Sequence, residues 1–152
     1  MNVSGVPMAK EVCINNNNNT VKLQSCDGEI FEVEEEVAST SGFIKKLTRD
    51  LGTKTTVPLP ICAKILRIVV HYCRYHVLDA PNAPPDIVKT WDNIFAKDLA
   101  VDRATLFEVT VAANYLLIKN LLELTCQTIA DMMKGKTAEE MRELFTVENE
   151  NY

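Results

Sequence analysis

The spacing of apolar residues changes along the chain, from the two-residue period of strands near its beginning to the longer period of helices afterwards. Residues 21–24 alternate apolar and polar side chains, which predicts a half-buried strand. The Asp27-Gly28 pair then supplies the positive φ angles of a tight hairpin, and residues 29–33 are predicted to form the return strand. A third short strand is predicted at residues 55–59, where Pro58 restricts it to an edge or an end.

Two helices are predicted in the first half of the chain. One follows the glutamates at 34–36, which favour a helix N-terminus, and is weakened by Gly42. Its predicted buried stripe consists of four apolar residues: Val37, Phe43, Ile44 and Leu47. The other covers residues 62–76 and is apolar on more than one face, which predicts substantial burial.

Three prolines within residues 79–85 predict a loop between two halves of the domain. A short helix should follow, with Trp91 as an anchor of its core. Its apolar positions are Trp91, Ile94, Phe95 and Leu99. Asp102 can cap the next helix, residues 103–117, which has almost no polar face and is therefore predicted to be the central helix of the core.

The C-terminal part is predicted to contain two further helices. The first has a broad face of leucine and methionine that begins near Asn120, and Gly135 supplies its left-handed stop. Thr137 and Glu140 have the spacing of a capping box, which predicts a last short helix. That helix carries Met141, Leu144 and Phe145.

Composition narrows the possible functions. At 152 residues and 17.0 kDa the chain fits one core, and its formal charge of -5 does not favour nucleic acid as a partner. Five cysteines without a C-x-x-C pair argue against a disulfide framework and a zinc ribbon. Neither a signal peptide nor a membrane span is evident, so we expect no membrane partner and a protein of the nucleus and cytoplasm.

Few residues suggest bond-making chemistry. Cys62, His71, Cys73 and His76 are the best candidates for zinc, but all four fall on one helix, so ordinary packing is the preferred interpretation. A thiol enzyme built on Cys73 and His76 would need a third orienting group and a pocket. Since no phosphate loop, G-x-S-x-G or H-E-x-x-H motif is present, we predict no catalytic residue, no metal, no cofactor and no enzymatic activity.

The apolar surface at the C-terminal end allows two interpretations. The leucine- and methionine-rich helix and the short helix after it could simply pack on the domain. They could instead form a groove for helices of a partner, in which methionines tolerate varied side chains. Composition alone does not choose between them.

Several motifs resemble the Skp adaptor family, in a form close to its plant members. The most specific are A-A-N-Y-L at 112–116, I-K-N-L-L at 118–122, L-T-C-Q-T-I-A-D-M at 124–132 and K-G-K-T-A-E-E-M-R at 134–142. Looser matches are S-C-D-G-E-I-F-E-V at 25–33, V-P-L-P at 57–60, K-I-L at 64–66, W-D at 91–92 and T-L-F-E at 105–108. The resemblance covers residues 21–147.

This resemblance implies an α/β (α+β) fold of the BTB/POZ type, a small three-stranded sheet flanked by helices, with a C-terminal helical extension that binds F-box proteins. The implied organisation is a disordered asparagine-rich tail at 1–20 and a BTB/POZ-like part at 21–101. The core helix and the helices for dimerisation and F-box binding follow at 102–147, and 148–152 form a tail.

The resemblance also implies a function, that of an adaptor joining a cullin to F-box substrate receptors in an SCF (Skp–cullin–F-box) ubiquitin ligase. It assigns cullin binding to Asn114 and Tyr115, for which the alternative is a polar interruption of a core helix. It assigns F-box binding to the C-terminal segment, and the residues predicted within it are Leu122, Cys126, Ile129, Met133, Met141 and Phe145.

The family pattern usually continues into an acidic segment and a closing helix with a tryptophan that packs on the F-box. The sequence ends instead at Asn151-Tyr152, so part of the F-box-binding surface is expected to be missing. This leaves an alternative function open, a regulatory Skp-like protein that binds cullin but binds F-box proteins weakly and acts as a competitor.

Overall fold

The structure, a computed structural model, describes residues 19–52 and 54–149, and the side chains only up to residue 143. The predicted tails at 1–20 and 148–152 therefore lie almost wholly outside the described residues. Described residues up to Val77 form one compact unit, and those from Leu78 form a second. The domain limits implied by the family, at 101 and 102, divide the chain elsewhere and stay a prediction.

The N-terminal unit contains a three-stranded sheet and three helices. Its elements are β1 (Thr20–Gln24), β2 (Ile30–Glu34), α1 (Glu35–Ala38), α2 (Gly42–Leu51), β3 (Val57–Pro58) and α3 (Ala63–Arg74). A π-helical turn, Tyr75–Asp79, and a short 3-10 helix, Ala80–Asn82, follow α3.

The sheet has the strand order β2-β1-β3, so the short β3 lies at an edge, as Pro58 predicts. β1 and β2 pair antiparallel, with Val21 opposite Val33, whereas β1 and β3 pair parallel. Val21 and Leu23 are buried and Lys22 is exposed, which confirms the alternation expected for β1. Gly28 has φ 91° in the hairpin turn, which confirms the glycine requirement there.

The prediction of one helix after the glutamates is wrong, because two helices occupy this region. α1 ends at Ala38, and the Ser41 side chain accepts a hydrogen bond of 3.1 Å from the Ile44 amide at the start of α2. Gly42 is therefore the first residue of a new helix rather than a weak point within one. The serine N-cap was the available signal, and it stands directly before Gly42.

Asp27 joins the hairpin to α3. Its carboxylate accepts hydrogen bonds from the Ser25 hydroxyl and, at 3.0 Å, from the Ala63 amide in the first turn of α3. The hydrogen bond from Ser25 lowers the pKa of Asp27, burial opposes this less strongly, and the Ala63 amide adds to the lowering. Asp27 is thus an N-terminal cap supplied from another element, since Cys62 at the N-cap position makes no side-chain cap of its own.

The C-terminal unit consists of four helices. They are α4 (Pro85–Ala100), α5 (Arg103–Leu116), α6 (Lys119–Met133) and α7 (Ala138–Asn149). α4, α5 and α6 pack against one another. The core of this unit includes Leu99, Leu106, Val109, Ala113, Leu116 and Leu121.

α4 is longer than predicted, at 16 residues, because Pro84 and Pro85 begin it rather than belonging to a preceding loop. Phe95 and Leu99 are buried as predicted, and Trp91 stacks on Phe95 with 5.2 Å between ring centroids. Ile94, which the apolar spacing grouped with them, is 56% exposed. At about 100° per residue it lies about 100° from Phe95 and about 140° from Leu99, and these two buried residues define the inward face.

The capping predictions for the later helices are confirmed. Asp102 accepts a hydrogen bond of 3.1 Å from the Ala104 amide at the start of α5. Before α7, the Thr137 amide donates to Glu140 at 2.9 Å and the Glu140 amide donates to the Thr137 hydroxyl at 3.2 Å, which is a complete capping box. Hydrogen bonding from Thr137 to the Glu140 carboxylate, through its backbone amide first and its side chain second, lowers the pKa of Glu140. Gly135 has φ 73°, the left-handed stop expected after α6.

Candidate functional site

One candidate surface lies on α5. The inward residues Leu106, Val109 and Ala113 are fully buried, but Asn114 and Tyr115 are exposed, Tyr115 by 41%. Val111 precedes Tyr115 by one turn and is 68% exposed, so the two lie on one face of the helix. We call Val111, Asn114 and Tyr115 the α5 surface. It presents apolar area next to an amide, a combination suited to a protein partner.

The near absence of a polar face predicted α5 to be a core helix, and its inward side is buried, but the pattern did not indicate this exposed side. Val111 is apolar, although Glu108 and Asn114, one turn before and after it, are polar and exposed. Packing buries Val109 and Ala113, and helical spacing then places Val111, about 200° away from each, on the opposite side.

The end of α5 is fixed by Leu117. This residue has φ 58° and ψ 51°, a left-handed conformation, and it is the only non-glycine residue with positive φ in the described part of the chain. Its amide donates to Asn114 at 3.3 Å and the Ile118 amide donates to Ala113 at 3.0 Å, which satisfies carbonyl groups of the last turn. Ile118 is buried while Leu117 is exposed, so burial of the next residue holds the turn.

A second candidate surface runs along α6. Leu122, Cys126, Ile129 and Met133 are spaced by four, three and four residues, so they form one stripe, which we call the α6 stripe. Cys126 is exposed and the other three are half-buried. With 1.5 Å of rise per residue, the stripe is about 16 Å long.

The other side of α6 belongs to the core. Leu121 and Thr125 are buried, and the Thr125 hydroxyl donates to the carbonyls of Leu121 and Leu122 at 3.0 and 3.1 Å. This buried hydroxyl is therefore satisfied within its own helix. α6 thus uses one face to pack on α4 and α5 and keeps an apolar stripe accessible on another.

The last two predicted site residues fall on α7. Met141 is half-buried in its first turns. The backbone of Phe145 lies within α7, but its side chain is outside the described residues. Of the eight predicted site residues, the structure therefore describes seven side chains, all on α5, α6 and α7.

The residues considered for thiol or metal chemistry do not converge. Cys62 stands at the N-cap of α3 and His76 lies beyond its last residue. Within residues 19–52 and 54–149, no three histidine, cysteine or acidic side chains form a group that could hold a metal ion. Burial raises the pKa of Cys73 to about 12, so its thiol stays protonated and is a weak nucleophile near neutral pH.

Three ion pairs of the described residues lie outside the α5 surface and the α6 stripe. The ion pairs of the N-terminal unit, Arg67 with Glu29 at 2.7 Å and Arg74 with Glu34 at 3.1 Å, are exposed, as is Lys134 with Asp131 at 3.8 Å after α6. Such pairs contribute little to stability.

Among the described helices, none combines the length and the apolar character that crossing a bilayer requires.

Comparison with known proteins finds a family match in the N-terminal part of the chain and another in its C-terminal part. Residues 19–78 match the tetramerisation domain of the Skp1 family, and residues 119–151 match its dimerisation domain. The first match covers the N-terminal unit with its sheet, which confirms the BTB/POZ-like fold. The second covers α6 and α7, where the α6 stripe lies.

Curated plant proteins are similar over most of the sequence. SKP1-like protein 1A of Arabidopsis thaliana is 47% identical over 140 residues, with 86% of each chain covered. SKP1-like protein 20 of Oryza sativa subsp. japonica is 43% identical over 150 residues, covering 86% of this chain and 84% of its own. SKP1-like protein 14 of Arabidopsis thaliana is 47% identical over 133 residues, covering 87% and 86%. On this identity, coverage and pair of domain matches, the chain belongs to the Skp1 family.

Proposed function

We propose that this protein is the adaptor subunit of an SCF ubiquitin ligase, in which it links a cullin scaffold to F-box substrate receptors. Its main support is membership of the Skp1 family, whose two domain types match both ends of the chain. Skp1 family proteins are adaptors and not enzymes, so the chain contributes no bond chemistry of its own. It acts by holding two partners in a fixed geometry, in the nucleus and the cytoplasm.

The α5 surface is the proposed contact with the cullin. Asn114 and Tyr115 are assigned to it by the A-A-N-Y-L resemblance, and both side chains are exposed in the structure. The exposed Val111 adds apolar area beside them. A tyrosine beside aliphatic area is a frequent centre of binding energy in protein interfaces.

The α6 stripe and α7 are the proposed contact with the F-box. Leu122, Ile129 and Met133 keep part of their apolar surface accessible, and a helical partner could cover that surface along the length of the stripe. Their half-burial fixes each side chain by core packing before the partner arrives, which reduces the entropy lost on binding. Affinity on this side therefore comes from apolar burial rather than from charge.

Binding of a cullin N-terminal domain, measured by calorimetry, tests the α5 surface. The double variant Asn114→Lys, Tyr115→Lys should bind at least about tenfold more weakly, equivalent to about 1.4 kcal/mol. The double variant Ile87→Lys, Ile94→Lys is the matched control, because it places the same two charges at exposed apolar positions of α4 and should leave affinity unchanged. Equal binding of the double variant and the wild type would reject the α5 assignment.

Binding of an F-box domain tests the α6 stripe. Ile129→Asp should weaken binding about tenfold or more, since it buries a charge at the centre of the stripe. Asn120→Asp adds the same charge to an exposed position of the same helix and should have little effect. Each surface variant should keep its affinity for the other partner, and loss of both partners in one variant would indicate misfolding instead.

Size-exclusion chromatography of a mixture of the three proteins distinguishes the adaptor from the competitor considered above. An adaptor binds cullin and F-box together, so a cullin, the chain and an F-box domain should elute as one complex. A competitor binds the cullin and excludes the F-box, so the ternary complex would be absent while the cullin complex persists. A panel of several F-box domains guards against a narrow choice of partner.

A further inference from the structure

Two cysteines that are far apart in sequence are neighbours in the N-terminal unit. Cys26 lies in the turn after β1, and Cys62 immediately precedes α3. The Cys26 amide donates a hydrogen bond of 2.9 Å to the carbonyl of Ile61, the residue before Cys62. The backbone of the turn is therefore in direct contact with the segment that carries Cys62.

The segments that follow the two strands come together with a change of register. Gln24 pairs with Pro58 in the parallel ladder of β1 and β3, and the Leu59 amide donates to Gln24 at 2.9 Å. The Cys26 amide then donates to Ile61, two residues further along than this register predicts, so residues 59–61 form a bulge. The carbonyl that accepts this bond belongs to the peptide group between Ile61 and Cys62, which brings Cys62 next to Cys26.

A third hydrogen bond fixes this juxtaposition from the other side. The Ala63 amide donates to the Asp27 carboxylate at 3.0 Å, so the residues on both sides of Cys62 are bound to residues 26 and 27. A disulfide requires Cα atoms about 4.4–6.8 Å apart, and a hydrogen bond from Cys26 to the peptide group that ends at Cys62 is compatible with that separation.

Both thiols are accessible and unbonded. Cys26 is exposed and Cys62 is half-buried, neither is in a disulfide, and Cys62 makes no side-chain cap hydrogen bond to α3. Cys73, by contrast, is buried within α3. From this arrangement we propose that Cys26 and Cys62 form a redox modification site, which a hydroperoxide converts into an intramolecular disulfide.

The chemistry balances with the peroxide as the only oxidant. One thiolate attacks a peroxide oxygen, the O–O bond breaks, and a sulfenic acid and one molecule of water or alcohol result. The other thiolate then attacks the sulfenic sulfur, the S–S bond forms and the S–O bond breaks, releasing water. Two thiols lose two electrons and two protons in total, the peroxide gains them, and a dithiol such as dithiothreitol reverses the change.

Peroxide treatment of the full-length chain, followed by mass spectrometry without reduction, tests the site. The native chain should yield a peptide pair joined through Cys26 and Cys62, about 2 Da lighter than the sum of the two separate peptides. Cys126→Ser removes an exposed cysteine of the C-terminal unit and serves as the matched control, which should form the same joined peptides. Cys26→Ser and Cys62→Ser should each abolish them and leave the partner thiol to oxidise further.

The result that would overturn the proposal is measured on the native sequence and so does not depend on a variant that folds. Separate sulfinic or sulfonic acids at Cys26 and Cys62, or disulfides only between two chains, would refute it at a peroxide dose that oxidises most of the exposed Cys126. Size-exclusion chromatography without reductant distinguishes the intermolecular products. Disappearance of the joined peptide pair after treatment with dithiothreitol is the further expected outcome.

Discussion

The two compact units of this protein differ in how many large apolar side chains they expose. Nine large apolar side chains are exposed in the described part of the chain, and only Ile30 and Leu51 belong to the N-terminal unit. The other seven belong to the C-terminal unit. Those seven include Val111, Tyr115 and Leu117 at the end of α5. Accessible apolar area is a common feature of binding surfaces, and it supports the proposal that both contacts lie in the C-terminal helices.

The named side-chain polar interactions of the two units also differ, in the sequence separation of the residues that they join. In the N-terminal unit, side chains bind residues far away in sequence, Asp27 with Ala63, Arg67 with Glu29 and Arg74 with Glu34. The side-chain hydrogen bonds named above for the C-terminal unit join residues no more than four apart, as at Asp102 and Thr137. The comparison indicates that the first unit is oriented by specific polar contacts, whereas the second depends on apolar packing between helices.

The largest expected effect would test this dependence on packing. Leu106→Ala removes a fully buried side chain of α5 and should lower the free energy of unfolding by about 2–5 kcal/mol. Urea denaturation followed by circular dichroism measures it. Val111→Ala, on the exposed face of the same helix, is the control and should change that free energy by no more than about 0.5 kcal/mol. Similar losses in both variants would contradict the assignment of the two faces.

A smaller effect of opposite sign is expected at Leu117. A leucine held at φ 58° costs about 1–2 kcal/mol relative to ordinary helical geometry, and glycine adopts this conformation without that cost. Because Leu117 is 61% exposed, Leu117→Gly loses little burial and should raise the free energy of unfolding by about 1 kcal/mol. Leu117→Ala keeps the Cβ atom and should give little or no gain, and a gain equal to that of glycine would argue against backbone strain.

The smallest expected effect concerns the polar link of the N-terminal unit. The folded state lowers the pKa of Asp27 below its ordinary value of 3.8, so the stabilisation is present above that value and is lost as the pH falls through the folded pKa. Asp27→Asn should therefore unfold at lower urea concentration than the wild type at pH 7, and the two should converge in acid. A difference that is the same at both pH values would show that the charge of Asp27 is not what stabilises the cap.

Local signals in the sequence were sufficient for most of the fold. Alternation predicted β1, Gly28 predicted the hairpin, and Asp102 and the pair Thr137 and Glu140 predicted the starts of α5 and α7. Each of these depends on neighbours within a few residues, which is the range over which propensity and capping operate. The resemblance to the Skp family supplied the fold class, which local pattern alone did not.

The predictions failed where tertiary contacts decide the outcome. Ile94 and Val111 are apolar and helical, and only the packing of α4 and α5 determines that they face outward. The contact of Asp27 with Ala63 and the proximity of Cys26 to Cys62 follow from the way β1 and α3 meet, which the periodicity of neither segment contains. For the candidate site, the resemblance supplied the four residues of the α6 stripe, and their spacing on the observed helix places them on one face. Their roles in binding stay a prediction.

The left-handed turn at Leu117 sets how the α5 surface is rotated relative to the α6 stripe, and these are the two proposed contacts. α5 ends at this turn and α6 begins at Lys119. The α5 surface and the α6 stripe therefore lie on two continuous helices, separated by a fixed number of residues. One residue inserted between Tyr115 and Leu117 would rotate what precedes it by about 100° relative to the turn. Side chains of either proposed contact can therefore change without altering this orientation, whereas a change of length here would turn the two surfaces in different directions.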